Sequence, residues 1–248
     1  MKEEQLKQDF EYNFPYHYIP QYKENYIQVE TWSWSKNYVS AIEFILKKIK
    51  EDVSSVTSIF DVGCGDGRLT KELSFELPEI NVLGIDYSDK AIALAKAMNS
   101  DIEFYQLDII NNNFKMKCDL VTLIEVFEHV PLESCDSFIK AIAKLLNTNG
   151  QIHLTVPHVN VPVSYKHFQH FDLDLLKKYF EKYFDIEEVQ YIQRNSFFLK
   201  IMTKLFSNNL YIINNNKLNN LYYKFYKKYC FNTNEDKCER IYLKLRKK

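Results

Sequence analysis

The chain has 248 residues, 46% hydrophobic and 26% charged, an ordinary globular composition with enough length for one large α/β domain. A formal net charge of −1 excludes a global electrostatic attraction to nucleic acid or to an acidic membrane. Five cysteines (Cys64, Cys118, Cys135, Cys230, Cys238) make no CxxC pair, which excludes a small disulfide scaffold and fits reduced thiols in a cytoplasmic protein.

The opening MKEEQLKQDF lacks the apolar core of a signal peptide. No apolar run approaches the roughly 18–20 residues that span a bilayer, so a soluble protein is expected. Residues 1–34 are rich in aromatics and carry two prolines, which predicts an irregular arm packed over the rest. Residues 35–248 then read as one domain. Apolar positions 38, 39, 42, 45, 46 and 49 make a helical stripe in the segment 35–50.

From there strands and helices alternate. SIFDV (58–62) is a strand, followed by a glycine turn and a helix near 68–77. NVLGID (81–86) is a second strand, and Ser88 caps a helix over 88–98. IEFYQLD (102–108) and CDLVTLIEV (118–126) are the next strands, before a helix at roughly 134–147 with Gly150 at its terminus. QIHLTVP (151–157), a capped helix over 172–183, and DIEEVQYIQ (185–193) continue the rhythm. Residues 196–230 break it as an amphipathic helical insertion, and CERIYLKLRK (238–247) returns as the last strand. The alternation predicts a doubly wound α/β fold with a mostly parallel, seven-stranded, Rossmann-like sheet.

The insertion carries Phe197, Phe198, Leu199, Ile201, Met202, Leu205 and Phe206 close together. Too apolar for free solvent, it is expected to pack on the domain or on a second copy in a homodimer. The basic stretches KFYKKY (224–229) and LKLRKK (243–248) read as a solvated face and a terminal tail.

Gly63, Gly65 and Gly67 are three of only five glycines. They sit in DVGCGDGRL, after the first strand, where a missing Cβ lets the backbone approach a ligand. Asp86 ends the second strand roughly 20 residues on, where a carboxylate can accept from two ribose hydroxyls. Asp108 ends the third and suits the amine of an adenine. The glycine spacing is G-x-G-x-G rather than G-x-G-x-x-G, and Asp66 would repel a pyrophosphate.

DVGCGDGRL, GIDYS, QLDI and DLVTLIEVFEHV together resemble, in order and spacing, the nucleotide-site motifs of class I S-adenosylmethionine (SAM) dependent methyltransferases. The resemblance covers about residues 56–193. It implies that Asp61, Gly63 and Gly65 line the methionine end of SAM, that Asp86 takes the ribose, that Tyr87 flanks the adenine, and that Asp108 with Ile109 reads the adenine edge. It also places the end of the fourth strand beside the methyl group.

There the apolar run TLIEVFEHVP carries three ionisable groups, Glu125, Glu128 and His129, on one face of a helical turn. The loop PHVNVPVSYKHFQHFD after the fifth strand brings His158, His167 and His170 to the same edge. The arrangement is similar to the Glu-x-x-Glu-His site of methyltransferases that modify ubiquinone precursors, and of others that cap small RNAs at the terminal 2′ hydroxyl. The latter carry a downstream His-x-x-His element, and HFQH (167–170) is similar. That resemblance implies a divalent metal on Glu125, Glu128, His129 and His167 or His170, with Mn²⁺, Fe²⁺, Co²⁺ or Zn²⁺ favoured over Mg²⁺. The alternative without metal has Glu125 on the SAM amino group and His129, His167 or His170 as general base.

Three functions follow. In the first, a small-molecule or saccharide O-methyltransferase, Tyr12, Phe14, Tyr16, His17, Tyr18, Trp32 and Trp34 close over a compact acceptor. FPYHYIP, WSW and KHFQHF resemble methyltransferases of bacterial surface-polysaccharide modification, among whose acceptors is a capsular O-methyl phosphoramidate group. The second is RNA 2′-O-methylation. The near-neutral charge and lack of a basic, aromatic platform argue against a nucleic-acid partner. The third is a catalytically silent SAM-binding partner protein.

Overall fold

The sheet grows outward from a buried central strand. Ser58–Val62 (β1) pairs in parallel with Asn81–Asp86 (β2) on one side and Cys118–Ile124 (β4) on the other. Glu103–Gln106 (β3) continues the parallel set beyond β2, and Leu146–Pro157 (β5) beyond β4. Phe184–Arg194 (β6) forms the far edge, and Cys238–Lys247 (β7) inserts between β5 and β6, antiparallel to both. The order β3-β2-β1-β4-β5-β7-β6 is the predicted mostly parallel, seven-stranded sheet. This computed structural model describes residues 3–12, 15, 17, 32–111, 114–208, 210–213 and 215–248.

Side chains alternate faces along each strand, as the pleat requires. Ile59, Val82 and Leu120 join one core with Ile45 and Ile49, which belong to helix α2 (Trp32–Asp52) that follows helix α1 (Glu3–Glu11). Phe60, Leu83, Val121 and Leu123 point the other way, where Ile139 and Ile142 of a later helix meet them. In chain order the remaining helices are α3 (Arg68–Glu76), α4 (Asp89–Met98), α5 (Cys135–Leu145), α6 (Leu173–Phe180), α7 (Phe197–Phe206) and α8 (Asn216–Tyr229). Ser88 caps α4 by accepting from the Ala91 amide, and Asp172 caps α6 by accepting from Leu175. Among the described residues no helix is long and apolar enough to cross a membrane.

Some local expectations change. Residues 3–11 are helical rather than irregular, because the prolines that argued against a helix, Pro15 and Pro20, both lie beyond its end. Gly150 does not end a helix: α5 stops at Leu145 and β5 begins at Leu146. The left-handed residue there is Asn149, at φ 61°, a conformation asparagine tolerates. Of the expected aromatic arm, Phe14, Tyr16 and Tyr18 and the side chains of Trp32 and Trp34 lie outside the described residues.

The strand order turns outward in both directions from β1 and β4, and such a switch leaves a crevice at the carboxyl ends of the strands. Gly63 makes the first turn into that crevice at φ 78°, and its amide donates to Ile85 O at 2.7 Å. A Cβ there would lie 2.4 Å from a Val126 methyl. Gly63→Ala is therefore expected to lower stability by about 1–3 kcal/mol from backbone strain alone. At roughly 2–4 °C per kcal/mol for a chain of this size, a calorimetric melt should show the loss. An unchanged melting temperature would mean that this turn is not constrained.

Candidate active site

The crevice is a cavity of about 550 Å³ at the ends of β1, β4, β5 and β7, partly covered by α1. On its β1 side lie Asp61, Gly63 and Gly65. Asp61 is buried, and its two oxygens accept from Thr70 and Thr122 hydroxyls, each at 2.7 Å. Burial raises its carboxyl against those bonds.

Asp86 ends β2 and is also buried. Its carboxylate accepts from the Gly65 amide at 3.0 Å and the Ser88 amide at 2.9 Å. Burial nevertheless pushes its carboxyl up to about 6. Asp108 is exposed after β3, with the Ile110 amide at 3.0 Å and the Asn111 side chain at 2.7 Å on its carboxylate. Asp86, Tyr87, Asp108 and Ile109 do not line the cavity, which ends at Gly65.

Helix α1 forms a strap over Tyr87 and Ser88. Ser88 and Lys90 both bond Asp9 in the last turn of the strap, and Tyr87 donates to Gln5 O. Past the helix, the Tyr12 hydroxyl lies 2.7 Å from where a Cβ on Gly65 would be. Two residues beyond Asp9 in the same last turn, Glu11 takes Lys166 at 2.6 Å, on the β5–α6 loop. His17 then anchors the segment on the glycine turn, its amide 3.2 Å and its ring 3.0 Å from the two Asp66 oxygens. Of the expected aromatic arm, Tyr12 and His17 thus line the cavity.

The β4 end is shaped by Glu125, a non-glycine residue at φ 58°. Its amide donates to Thr155 O at 3.0 Å, and its carboxylate accepts from the Thr155 hydroxyl and from Arg240 Nε at 2.5 Å. The reversal feeds a single 3-10 turn, Phe127–His129, that aims Glu128 inward. Glu128 is completely buried, and among the described residues neither carboxyl oxygen has a hydrogen-bond partner. Burial, then the charge of Glu125, raises its carboxyl well above the usual carboxylate range.

The histidine hydrogen bonds assign their tautomers. His129 Nδ1 lies 3.0 Å from Lys166 O, which can only accept, so Nδ1 carries the proton and Nε2 the lone pair. His170 Nδ1 likewise faces Val161 O at 2.9 Å, which leaves its Nε2 to accept from His167 Nδ1 at 2.8 Å. His167 therefore also presents a lone pair at Nε2. Burial, reinforced by Lys166, pushes His129 down to about 4; burial and the two neighbouring histidines push His167 down to about 2. Both imidazoles are neutral bases at neutral pH.

Glu128, His129 and His167 each offer a ligand atom, and these lie within 4.8 Å of one another. Glu125 is outside this group, held by Arg240, and His170 stands behind His167 as its orienting partner. His158 is buried and bonds the Asn160 amide through Nδ1, away from the cavity. Arg240 and Lys166 were not legible as site residues. Arg240 reaches the site only because β7 runs antiparallel to β5 and sets it opposite Pro157.

Residues 59–150 match a methyltransferase domain family. A putative methyltransferase, 235L of Invertebrate iridescent virus 6, is 32% identical over 93 residues, 36% of this chain and 34% of that protein. A ubiquinone biosynthesis O-methyltransferase of Salmonella paratyphi A is 27% identical over 106 residues, 41% and 43% of the two chains. The chain thus spans less than half the length of these curated relatives. Among solved structures, magnesium protoporphyrin IX methyltransferase from Synechocystis with bound SAM covers 100% of this chain and 98% of its own, with a TM-score of 0.61 and 15% identity. The N-methyltransferase NodS from Bradyrhizobium japonicum, bound to S-adenosylhomocysteine, covers 85% and 87%, with a TM-score of 0.58 and 13% identity.

The tautomers are directly testable. Nitrogen-15 shifts at pH 7 should show His129 and His167 neutral and protonated at Nδ1, with His129 remaining neutral down to about pH 5, a unit above its value of about 4. An Nε2-protonated His129 would remove the geometry described.

Proposed function

We propose that this chain, which belongs to the class I SAM-dependent methyltransferases, transfers the sulfonium methyl group to a hydroxyl oxygen of a small molecule or saccharide held beneath α1. The observation that carries this reading is the grouping of Glu128, His129 and His167, with ligand atoms within 4.8 Å of one another and the buried Glu128 carboxyl unpartnered among the described residues. Such a group accepts a proton or a cation, which a hydroxyl acceptor requires. A net charge of −1 and a strapped cavity favour a compact acceptor over a polynucleotide.

In this reading the methionine end of SAM lies along Asp61, Gly63 and Gly65, and its ribose hydroxyls meet Asp86 beyond the cavity's end at Gly65, once α1 has moved aside. The acceptor oxygen attacks the methyl carbon in line with the carbon–sulfur bond. That bond breaks, its electrons stay on sulfur, and S-adenosylhomocysteine leaves. The chain's contribution is orientation, with reacting atoms held at roughly 3–3.5 Å, and removal of the hydroxyl proton. His129 Nε2 is the atom placed to take that proton. Arg240 holds Glu125 away from the three converging groups, and α1 excludes water.

The same three side chains fit a divalent cation, because a mixed nitrogen and oxygen donor set surrounds an orphaned buried carboxyl. Held by Glu128, His129 and His167, Mn²⁺, Fe²⁺, Co²⁺ or Zn²⁺ would supply Lewis-acid acidification of the acceptor hydroxyl. The imidazole lone pairs are then ligands rather than bases, and His170 fixes the His167 ring through Nδ1.

Two measurements test the cofactor half. Asp86→Ala removes hydrogen bonds worth about 1.5–3 kcal/mol each to a charged acceptor, so SAM should bind on the order of a hundredfold more weakly by calorimetry. Because burial raises Asp86 to about 6, the acceptor is ionised at pH 7 and protonated below that value. SAM affinity should therefore fall as pH drops through about 6, and this dependence should vanish in Asp86→Ala. A flat profile in the native protein would refute the assignment.

The transfer half needs an acceptor, found by screening hydroxylated sugars, sugar phosphates, phosphoramidates and RNA ends for release of S-adenosylhomocysteine. With a cation in place, Glu128→Gln, His129→Ala and His167→Ala should all abolish turnover. A chelator should mimic them, and Mn²⁺ or Co²⁺ should restore activity ahead of Mg²⁺. With His129 acting alone as base, its loss costs roughly 10²–10⁴-fold in rate and chelation does nothing. Full activity of His129→Ala would sink both mechanisms.

A further inference from the structure

Residues 196–229 contain six lysines and no aspartate or glutamate. The rest of the chain then holds 26 basic and 33 acidic residues, a net of −7. The overall charge of −1 conceals this separation. The segment folds as α7 and α8, whose inner faces are satisfied: Leu199, Phe206, Tyr222, Tyr223 and Tyr226 pack with Val39 and Ile192 in one cluster. Its outer faces are not polar. On α7, Phe197, Ile201 and Leu205 recur every four residues and are exposed, Phe197 by 78%. On α8, Leu218, Leu221, Phe225 and Tyr229 form a second exposed row, Leu221 by 67%. Leu210, in the connection between the helices, is 92% exposed.

Lysines accompany both rows. Lys200 and Lys204 lie on α7, and Lys217, Lys224 and Lys228 on α8, all exposed. Among the described residues Lys200, Lys204, Lys217 and Lys224 make no ion pair, whereas Lys227 bridges to Glu43 on α2 and fixes α8 to the domain. A second copy is a poor occupant, because a two-fold contact sets this face against itself and brings like charges together. An anionic lipid surface answers both features. Apolar side chains enter the acyl boundary while lysine stems extend to the phosphates. Helices of 10 and 14 residues are too short to cross, so they would lie in the interface.

We infer that the outer face of α7 and α8 docks on a membrane surface rich in anionic lipid, with Phe197, Leu210 and Leu221 entering it. The docking face is separate from the transfer cavity, none of whose lining belongs to α7 or α8. Flotation of the full chain with vesicles tests it, using phosphatidylcholine alone and phosphatidylcholine mixed with phosphatidylglycerol. Binding is expected to the mixed vesicles and to weaken with salt. Each lysine near such a surface contributes roughly fivefold in partition, so Lys200→Glu, Lys204→Glu and Lys224→Glu combined should cost on the order of a hundredfold or more. Phe197→Ser, Leu210→Ser and Leu221→Ser combined should also abolish binding. Both variants should keep the native melting temperature and SAM affinity, since all these side chains face solvent. Absence of binding, or equal binding to neutral and mixed vesicles, would overturn the inference. So would light scattering that finds a native dimer which the serine variant dissolves, because the face would then belong to a second copy.

Discussion

The site depends on the reversal of the backbone at Glu125. A strand that simply continued would send Glu128 and His129 to opposite faces of the sheet or into its neighbours. A left-handed residue instead ends β4 abruptly and starts a single 3-10 turn. That conformation is unfavourable for glutamate and persists only because the surroundings hold it. Its amide bonds the Thr155 carbonyl on β5, and its carboxylate is held by Thr155 and by Arg240 from β7. Two strands, the parallel neighbour β5 and the antiparallel β7 beyond it, thus secure the turn that presents Glu128 and His129 to the cavity.

Burial then sets the chemistry of those groups. Neither carboxyl oxygen of Glu128 has a hydrogen-bond partner among the described residues, so its charged form is costly and its carboxyl rises. His129 and His167 stay neutral for the same reason, and backbone carbonyls fix which nitrogen is bare. The α1 strap bonds Ser88 and Lys90 after β2 and Lys166 beside the histidines. One short helix therefore touches both the β2–α4 turn and the β5–α6 loop.

The matched family segment, 59–150, ends before that loop. It contains Asp61, Gly63, Gly65, Asp86, Glu128 and His129, and leaves out Lys166, His167, Arg240 and all of α1. The division has a physical basis. The matched segment holds the central strands and the glycine turn, whereas the elements left out are those that cover the cavity. Structural neighbours with different names, a magnesium protoporphyrin IX methyltransferase and an N-methyltransferase, share the fold at 13–15% identity, as expected when a scaffold is kept and its covering elements change.

The sequence by itself determined whatever rests on neighbours along the chain. Alternating apolar residues set the strands, Ser88 and Asp172 announced two helix starts, and the three glycines marked the turn, all through contacts within a few residues. It also determined that Glu125, Glu128 and His129 would stand at a strand end. What it could not determine was which of them face one another, because positive φ at Glu125 follows from bonds to Thr155 and Arg240, 30 and 115 residues away. The exclusion of His158, the relay from His170 to His167 and the entry of Arg240 are likewise decided by how β5, β7 and the long loop pack. The outward face of α7 and α8 belongs to the same class. Periodicity marks an amphipathic helix, but only the tertiary structure tells which of two apolar sides the core has taken and which is left to water.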